Sequence, residues 1–241
     1  MSPADHFKQI YSSRAADYHR MMLAEDADGR LLATLRAVAP VAGKRVLDLG
    51  SGTGRLPLLL ADEAETFVAL DLHAAMLREQ QTQQRVAGGH WGLVQADMRQ
   101  LPLPAGSADV VLAGWAIGHL RGWYAGDWQM QIGRVLHEME RVCAPAGTLI
   151  IMETLTTGSL TPAPPTAELA EYYAWLENHW GFQRQTIATD YVFDSVEAAA
   201  AQTEFFFGAD LARLIRQNGW ARLPEWTGVW AKRLDANAGP G

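Results

Sequence analysis

The stretch KRVLDLGSGTGRLPLLL, residues 44–60, organises the chain. A short apolar run carrying an acid (Val46, Leu47, Asp48, Leu49) meets three alternating glycines, Gly50, Gly52 and Gly54, with Ser51 and Thr53 between them. An apolar segment of helical character, Leu56 to Leu60, follows, and the pattern predicts strand, tight turn, helix. Glycines at such a turn let the backbone take positive φ and let a ligand come close, while the free N–H groups opening the helix attract polar or anionic groups. A phosphate-cradling P-loop needs a lysine and a hydroxyl after its last glycine; Arg55 and Leu56 stand there instead. The dinucleotide fingerprint G-x-G-x-x-G is also missed, because the third glycine comes one residue early. Asp48 would repel a pyrophosphate, but it can accept hydrogen bonds, directly or through water, from an ammonium group. The implied ligand is a nucleoside carrying an amino acid rather than a dinucleotide.

The 241 residues suit one α/β domain, residues 1–241, with a full core. With 49% hydrophobic and 20% charged residues the composition is that of a globular protein. No basic-then-apolar leader opens the chain and no run approaches membrane-spanning length, so the expected location is the cytoplasm, with no membrane partner. A formal charge of −7 argues against broad nucleic-acid binding. The lone Cys143 sits in an apolar pattern and reads as a buried small hydrophobe. HEMER at 137–141 lacks the second histidine of a zinc-protease motif, because Arg141 stands there, and no metal is expected.

VLDLGSGTG resembles, at every position, the first motif of the class I S-adenosylmethionine (SAM) dependent methyltransferases, of the methyltransferase type 11 or ubiquinone-menaquinone methyltransferase-like group. The resemblance implies that Asp48, Gly50, Ser51, Gly52, Thr53 and Gly54 surround SAM as cofactor. FVALDLHAAML places Asp71 at the end of a second strand, where a carboxylate can accept both hydroxyls of a ribose. Leu72 and Met76 would then lie near the adenine or ribose. QADMRQLPLP follows a third strand around Trp91 to Val94; the resemblance has Asp97 accept from the adenine amino group and Met98 pack on the ring. The alternative for Asp97 is a helix or turn cap.

ADVVLAGWAIGHL supplies a fourth strand, Asp109 to Ala113, and beyond its carboxyl end Gly114, Trp115 and His119. Ligands of open parallel sheets bind past this edge, so Trp115 could wall the methionine part of the cofactor. His119 is the candidate general base, because an imidazole titrates near neutral pH; the bland alternative is a histidine capping the next helix. ERVCAPAGTLIIME matches the family's helix, turn and fifth strand, and the match ends near residue 154.

Residues 1–40 read as a helical cap. In the resembled family such helices often cover the pocket, which gives Tyr11 and Tyr18 a substrate-contact role or, equally, a packing one. Trp123 lies in an aromatic loop that suits an apolar acceptor or a packing cluster. The glutamines from Gln80 to Gln84 read as a solvated face. Residues 155–184 read as an insertion whose Tyr172 and Tyr173 either lie over the site as a lid or face the core. Thr186 to Phe193 and Trp226 to Ala231 predict late strands, Ser195 and Asp210 helix caps, and residues 236–241 a disordered tail.

The fold class expected is α/β, a Rossmann-like seven-stranded, mainly parallel sheet with helices on both faces, an N-terminal helical cap and a helical insertion after the fifth strand. The family implies that the last strand is antiparallel. The expected function is SAM-dependent methyl transfer by in-line displacement to a small-molecule acceptor, by a monomer or homodimer. Three alternatives stay open: a methyltransferase acting on protein or RNA, a SAM-binding regulatory protein without methyl transfer, and, remotely, a nicotinamide-dependent oxidoreductase.

Overall fold

The computed structural model describes residues 3–236. Positions 237–241 of the expected tail lie outside them. The chain opens with helices α1 (Pro3–Ser13), α2 (Ala15–Met22) and α3 (Arg30–Val38), then alternates β1 (Arg45–Leu49), α4 (Arg55–Leu60), β2 (Thr66–Asp71), α5 (Ala74–Ala87) and β3 (Gly92–Gln95). Next come β4 (Ala108–Gly114), α6 (Gly118–Trp123), α7 (Trp128–Val142), β5 (Cys143–Thr157), α8 (Ala167–Asn178), β6 (Gln183–Ala188) and β7 (Tyr191–Val192). The chain closes with α9 (Val196–Phe207), α10 (Ala209–Asn218), β8 (Arg222–Leu223) and β9 (Glu225–Arg233). Among the described residues no helix is long and apolar enough to cross a membrane.

Seven strands form one sheet in the order β3-β2-β1-β4-β5-β9-β6. The first five pair in parallel, while β9, the last strand, inserts antiparallel between β5 and β6. Both faces are buried, which is why the central strands read as unbroken apolar runs. Leu47, Leu49, Val111, Ala113, Leu149 and Ile151 face a core shared with α7 and α8. Their neighbours Val46, Val110, Leu112, Ile150 and Met152 face the opposite core with α3 and α4.

Several expectations need correction. Of the two readings of the α8 aromatics, the core-facing one describes these side chains: Tyr172, Tyr173 and Leu176 are buried in the first core, with the Tyr173 and Trp230 ring centroids 4.6 Å apart in a tilted pair. The late strand over 186–193 is broken into β6, which starts earlier, and β7, which leaves the sheet to pair with β8. Ser195 caps α9 through its hydroxyl, as expected, but the N-cap of α10 is Gly208, with Asp210 inside the first turn. Cys143 is buried, at the start of β5.

The reversal of strand order between β1 and β4 opens a crevice past their carboxyl ends. Gly50 sits at its floor with φ +67°, and a Cβ there would lie 2.5 Å from Ala116 Cβ. Gly50→Ala is therefore expected to destabilise the fold by about 2–5 kcal/mol, combining left-handed backbone strain with overpacking. Urea unfolding reads this directly, and an unchanged midpoint would contradict the close approach.

Candidate active site

Asp48 closes β1 at 1% exposure, and neither carboxylate oxygen has a hydrogen-bond partner among the described residues. Burial first, then the neighbouring Asp71 carboxylate, pushes its pKa well above the usual range. An unpaired buried acid is costly, and its natural complement is a donor or cation arriving from outside. The glycine turn beside it is held open by Gln80, which is fully buried rather than solvated. With its amide oriented to accept from Trp91 Nε1 at 3.1 Å, Gln80 donates to Ser51 Oγ at 3.0 Å and to the Gly52 carbonyl at 3.1 Å. Gly54 opens α4 at φ +95°, packed so that a Cβ would meet the Gln80 side chain at 2.8 Å; it supports the turn from behind and does not face the cleft.

Asp71 closes β2 with one oxygen accepting from Gly52 N at 2.9 Å and the other from His73 N at 2.7 Å. Each oxygen keeps a second lone pair, so the carboxylate is pinned in place and still able to accept. Leu72, Met76 and Met98 line the same cleft, as do Asp48, Ser51, Thr53, Gly114 and Trp115. Asp97 does not. Arg99 takes its carboxylate through Nε and Nη2, the latter at 2.6 Å, and through its backbone N–H, and this clamp holds the pKa below the usual range. The turn-capping alternative describes Asp97 in this structure.

Trp115 carries a positive φ of +50°, rare for a bulky residue, at the end of β4, with its N–H donating to the Met152 carbonyl at 2.7 Å. The strain turns its ring so that Arg55 lies 4.5 Å over it. Arg55 in turn pairs with the buried Glu25 at the end of the helical cap. The cap is also tied down by His19 Nδ1 to Thr53 Oγ1 at 3.1 Å and by Tyr11 Oη to His119 Nε2 at 2.8 Å. Tyr11 and Tyr18 therefore line the cleft, as the cap role requires.

A second cavity of about 930 Å³ adjoins the cleft, and Tyr11, Tyr18, Trp115, His119 and Trp123 line both. Tyr173 reaches this cavity, whereas Tyr172 does not line it. His119 stacks on Trp123 at 5.3 Å, and burial together with nearby His73 pushes its pKa down to about 4. Its imidazole is neutral at physiological pH and a weaker base than its residue type predicts. Three carboxylates on the wall had no sequence signal as site residues: Glu25, Glu153 and Glu168. Glu153 ends the run IIME, where a strand-end acid is unremarkable by itself.

A family model described as a methyltransferase domain matches residues 47–151. A ubiquinone/menaquinone biosynthesis C-methyltransferase from Syntrophotalea carbinolica is 31% identical over 182 residues, 72% of this chain and 70% of that protein. The chain belongs to the class I SAM-dependent methyltransferases. A malonyl-[acyl-carrier protein] O-methyltransferase from Legionella pneumophila is 30% identical over 152 residues, 62% of this chain, and the chain spans about half (50%) of that relative's length. The solved structure of a SAM-dependent methyltransferase from Aquifex aeolicus superposes with TM-score 0.53 at 16% identity, covering 96% of this chain and 98% of that one. The methyltransferase fold thus extends over nearly the whole chain, beyond residue 154, where the motifs end.

Proposed function

We propose that the chain is a methyltransferase that binds SAM in the cleft at the carboxyl ends of β1, β2 and β4 and methylates a small molecule held in the adjoining cavity. The unpartnered buried carboxylate of Asp48 carries this reading, because it fits an ammonium group, which SAM has and a dinucleotide lacks. Asp71 would accept from the ribose, the turn from Gly50 to Thr53 would pass the nucleoside at backbone distance, and Leu72, Met76 and Met98 would pack on the base. When bound, SAM supplies a methyl group already activated by its sulfonium. The chain's task is then to bring an acceptor in line and exclude water, which Trp115, Trp123 and the cap tyrosines do from the shared wall.

A cavity of about 930 Å³ with aromatic walls suits a small acceptor, and the name of the quinone-biosynthesis relative is of that kind. His119 and Tyr11 hold this wall together, and with its low pKa His119 acts in positioning more than in proton transfer. The enzyme would work in the cytoplasm, where its expected substrate is no nucleic acid.

Thermal unfolding with SAM, S-adenosylhomocysteine and NAD in parallel tests the reading. Each ligand that binds should, at a hundred times its Kd, stabilise by about 2.7 kcal/mol. A raised midpoint with the first two and none with NAD is the expected result; a response to NAD alone would make the protein an oxidoreductase.

A further inference from the structure

Glu153 stands at the carboxyl end of β5 on the cavity wall, only 5% exposed. Its Oε1 accepts from Gly118 N at 2.8 Å and lies 3.5 Å from Tyr172 Oη, so the carboxyl is oriented from two sides. Oε2 makes no hydrogen bond among the described residues, and Glu153 has no ion-pair partner there: Arg55 is committed to Glu25 and Arg121, at 2.8 Å, to Glu171. Residue 118 must be glycine for this arrangement, since a Cβ there would lie 2.9 Å from Oε2.

Next to Glu153, Met152 is tied to Trp115, which borders both the cleft and the cavity. Glu153 lines the cavity with Tyr11, Trp115, His119 and Tyr173, and Oε2 is the oxygen of this carboxyl that is not fully buried and not engaged. With one oxygen fixed by the backbone, the other keeps its lone pairs for a donor brought into the cavity.

We propose that Glu153 Oε2 accepts the hydrogen bond, and during transfer the proton, of an O–H or N–H group on an aromatic acceptor. The inference rests on the methyl-transfer reading of the site. In the step, the O–H or N–H proton passes to Oε2, the lone pair of that oxygen or nitrogen forms the new bond to the methyl carbon, and the carbon–sulfur bond breaks with its electron pair staying on sulfur. Burial, partly offset by the Gly118 and Tyr172 contacts, pushes Glu153 up to about 8, close to the range of amines and phenols and far better matched to them than His119. The titratable and charged groups around it are Tyr172 and Tyr173 of α8, Tyr11 of α1 and His119 of α6, with Arg121, Glu168 and Glu25 on the same cavity wall. The three tyrosines have pKa values raised by burial and His119 titrates in the acid range, so none of these four changes charge alongside Glu153 near pH 8; burial also raises Glu25, and the pH profile of Glu153→Gln separates the two carboxyls.

The test is calorimetric binding, in the presence of S-adenosylhomocysteine, of three probes of one shape: para-ethylphenol, phenethylamine and ethylbenzene. Wild-type protein is expected to bind the phenol or the amine about tenfold tighter than ethylbenzene, the size of one good hydrogen bond to a carboxyl, and whichever binds better names the acceptor's donor group. E153M should abolish the preference while leaving affinity for S-adenosylhomocysteine unchanged. E153Q, which keeps the Gly118 contact, serves if E153M does not fold. For a probe that is methylated, the wild-type rate should rise with pH through about 8 and the E153Q rate should not. Equal binding of the three probes by the wild type, a preference that survives in E153M, or an unaltered pH profile in E153Q would overturn the assignment. Loss of the methyl-transfer reading itself would appear separately, as wild-type protein that does not bind S-adenosylhomocysteine.

Discussion

Asp48→Asn is expected to make the ligand-free protein more stable and the liganded one weaker. In the free protein the variant removes a buried carboxylate whose two oxygens have no partner, a gain of about 1–3 kcal/mol near neutral pH. Burial holds the native pKa of Asp48 above its unfolded value, so between those values the native state binds the extra proton and stability falls as pH rises. The Asn variant lacks that fall. Its advantage should therefore be largest at neutral to alkaline pH and fade below the ordinary carboxylate range. Affinity for S-adenosylhomocysteine, which carries the same ammonium, should drop by about 1.5–3 kcal/mol, because a charge-assisted hydrogen bond is lost. Thermal midpoints at acid and alkaline pH together with calorimetry give both halves. Lower stability in the variant, or undiminished ligand affinity, would show that Asp48 is a structural acid.

Asp48 was legible because strand, acid and glycine turn are contiguous, and the chemistry of a ligand follows from their spacing. The same holds for Asp71 and for the first five strands, whose buried faces write themselves as apolar runs. What stayed hidden depends on contacts across the chain. Gln80 belongs to a polar run, and only the fold turns its amide under the glycine loop while its neighbours stay outside. Asp97 has the family's position, yet Arg99, two residues on, claims the carboxylate, an outcome that motif spacing does not weigh. Tyr172 and Tyr173 have a helical period that serves a lid or a core equally; the choice was made by β9, whose Trp230 arrives from the far end of the chain to cover them. Glu25 and Arg55, thirty residues apart by number, carry no pairing signal until the cap folds back on the glycine turn.

Arg55→Met tests that latch and has the largest expected cost to stability. Arg55 is the cation between two buried acids, Glu25 and Glu225, each with one oxygen unpartnered among the described residues. Removing it leaves Glu25 without its ion-pair partner and takes a favourable charge from Glu225, which keeps its Thr154 and Thr157 contacts; losing one partner of a buried pair costs about 3–5 kcal/mol. Burial already raises both carboxyl pKa values, and Arg55 lowers them; without it they rise further. A native pKa above the unfolded one means stability is lost as pH climbs from the unfolded value through the native one, so the deficit of the variant should be small near pH 4 and grow toward pH 8. Urea unfolding across that range reads the trend, and adding Glu25→Gln to Arg55→Met should recover part of the loss at high pH, a non-additivity that identifies the pair. The cap should loosen as well, since the Glu25–Arg55 pair, like the His19–Thr53 contact, holds it to the glycine turn, while Tyr11 ties it to His119 of α6. Proteolysis within α1–α2 should then speed up in the single variant and be slowed again by S-adenosylhomocysteine if the cap closes over the ligand. A deficit that does not depend on pH would mean that Arg55 acts by packing on Trp115 alone.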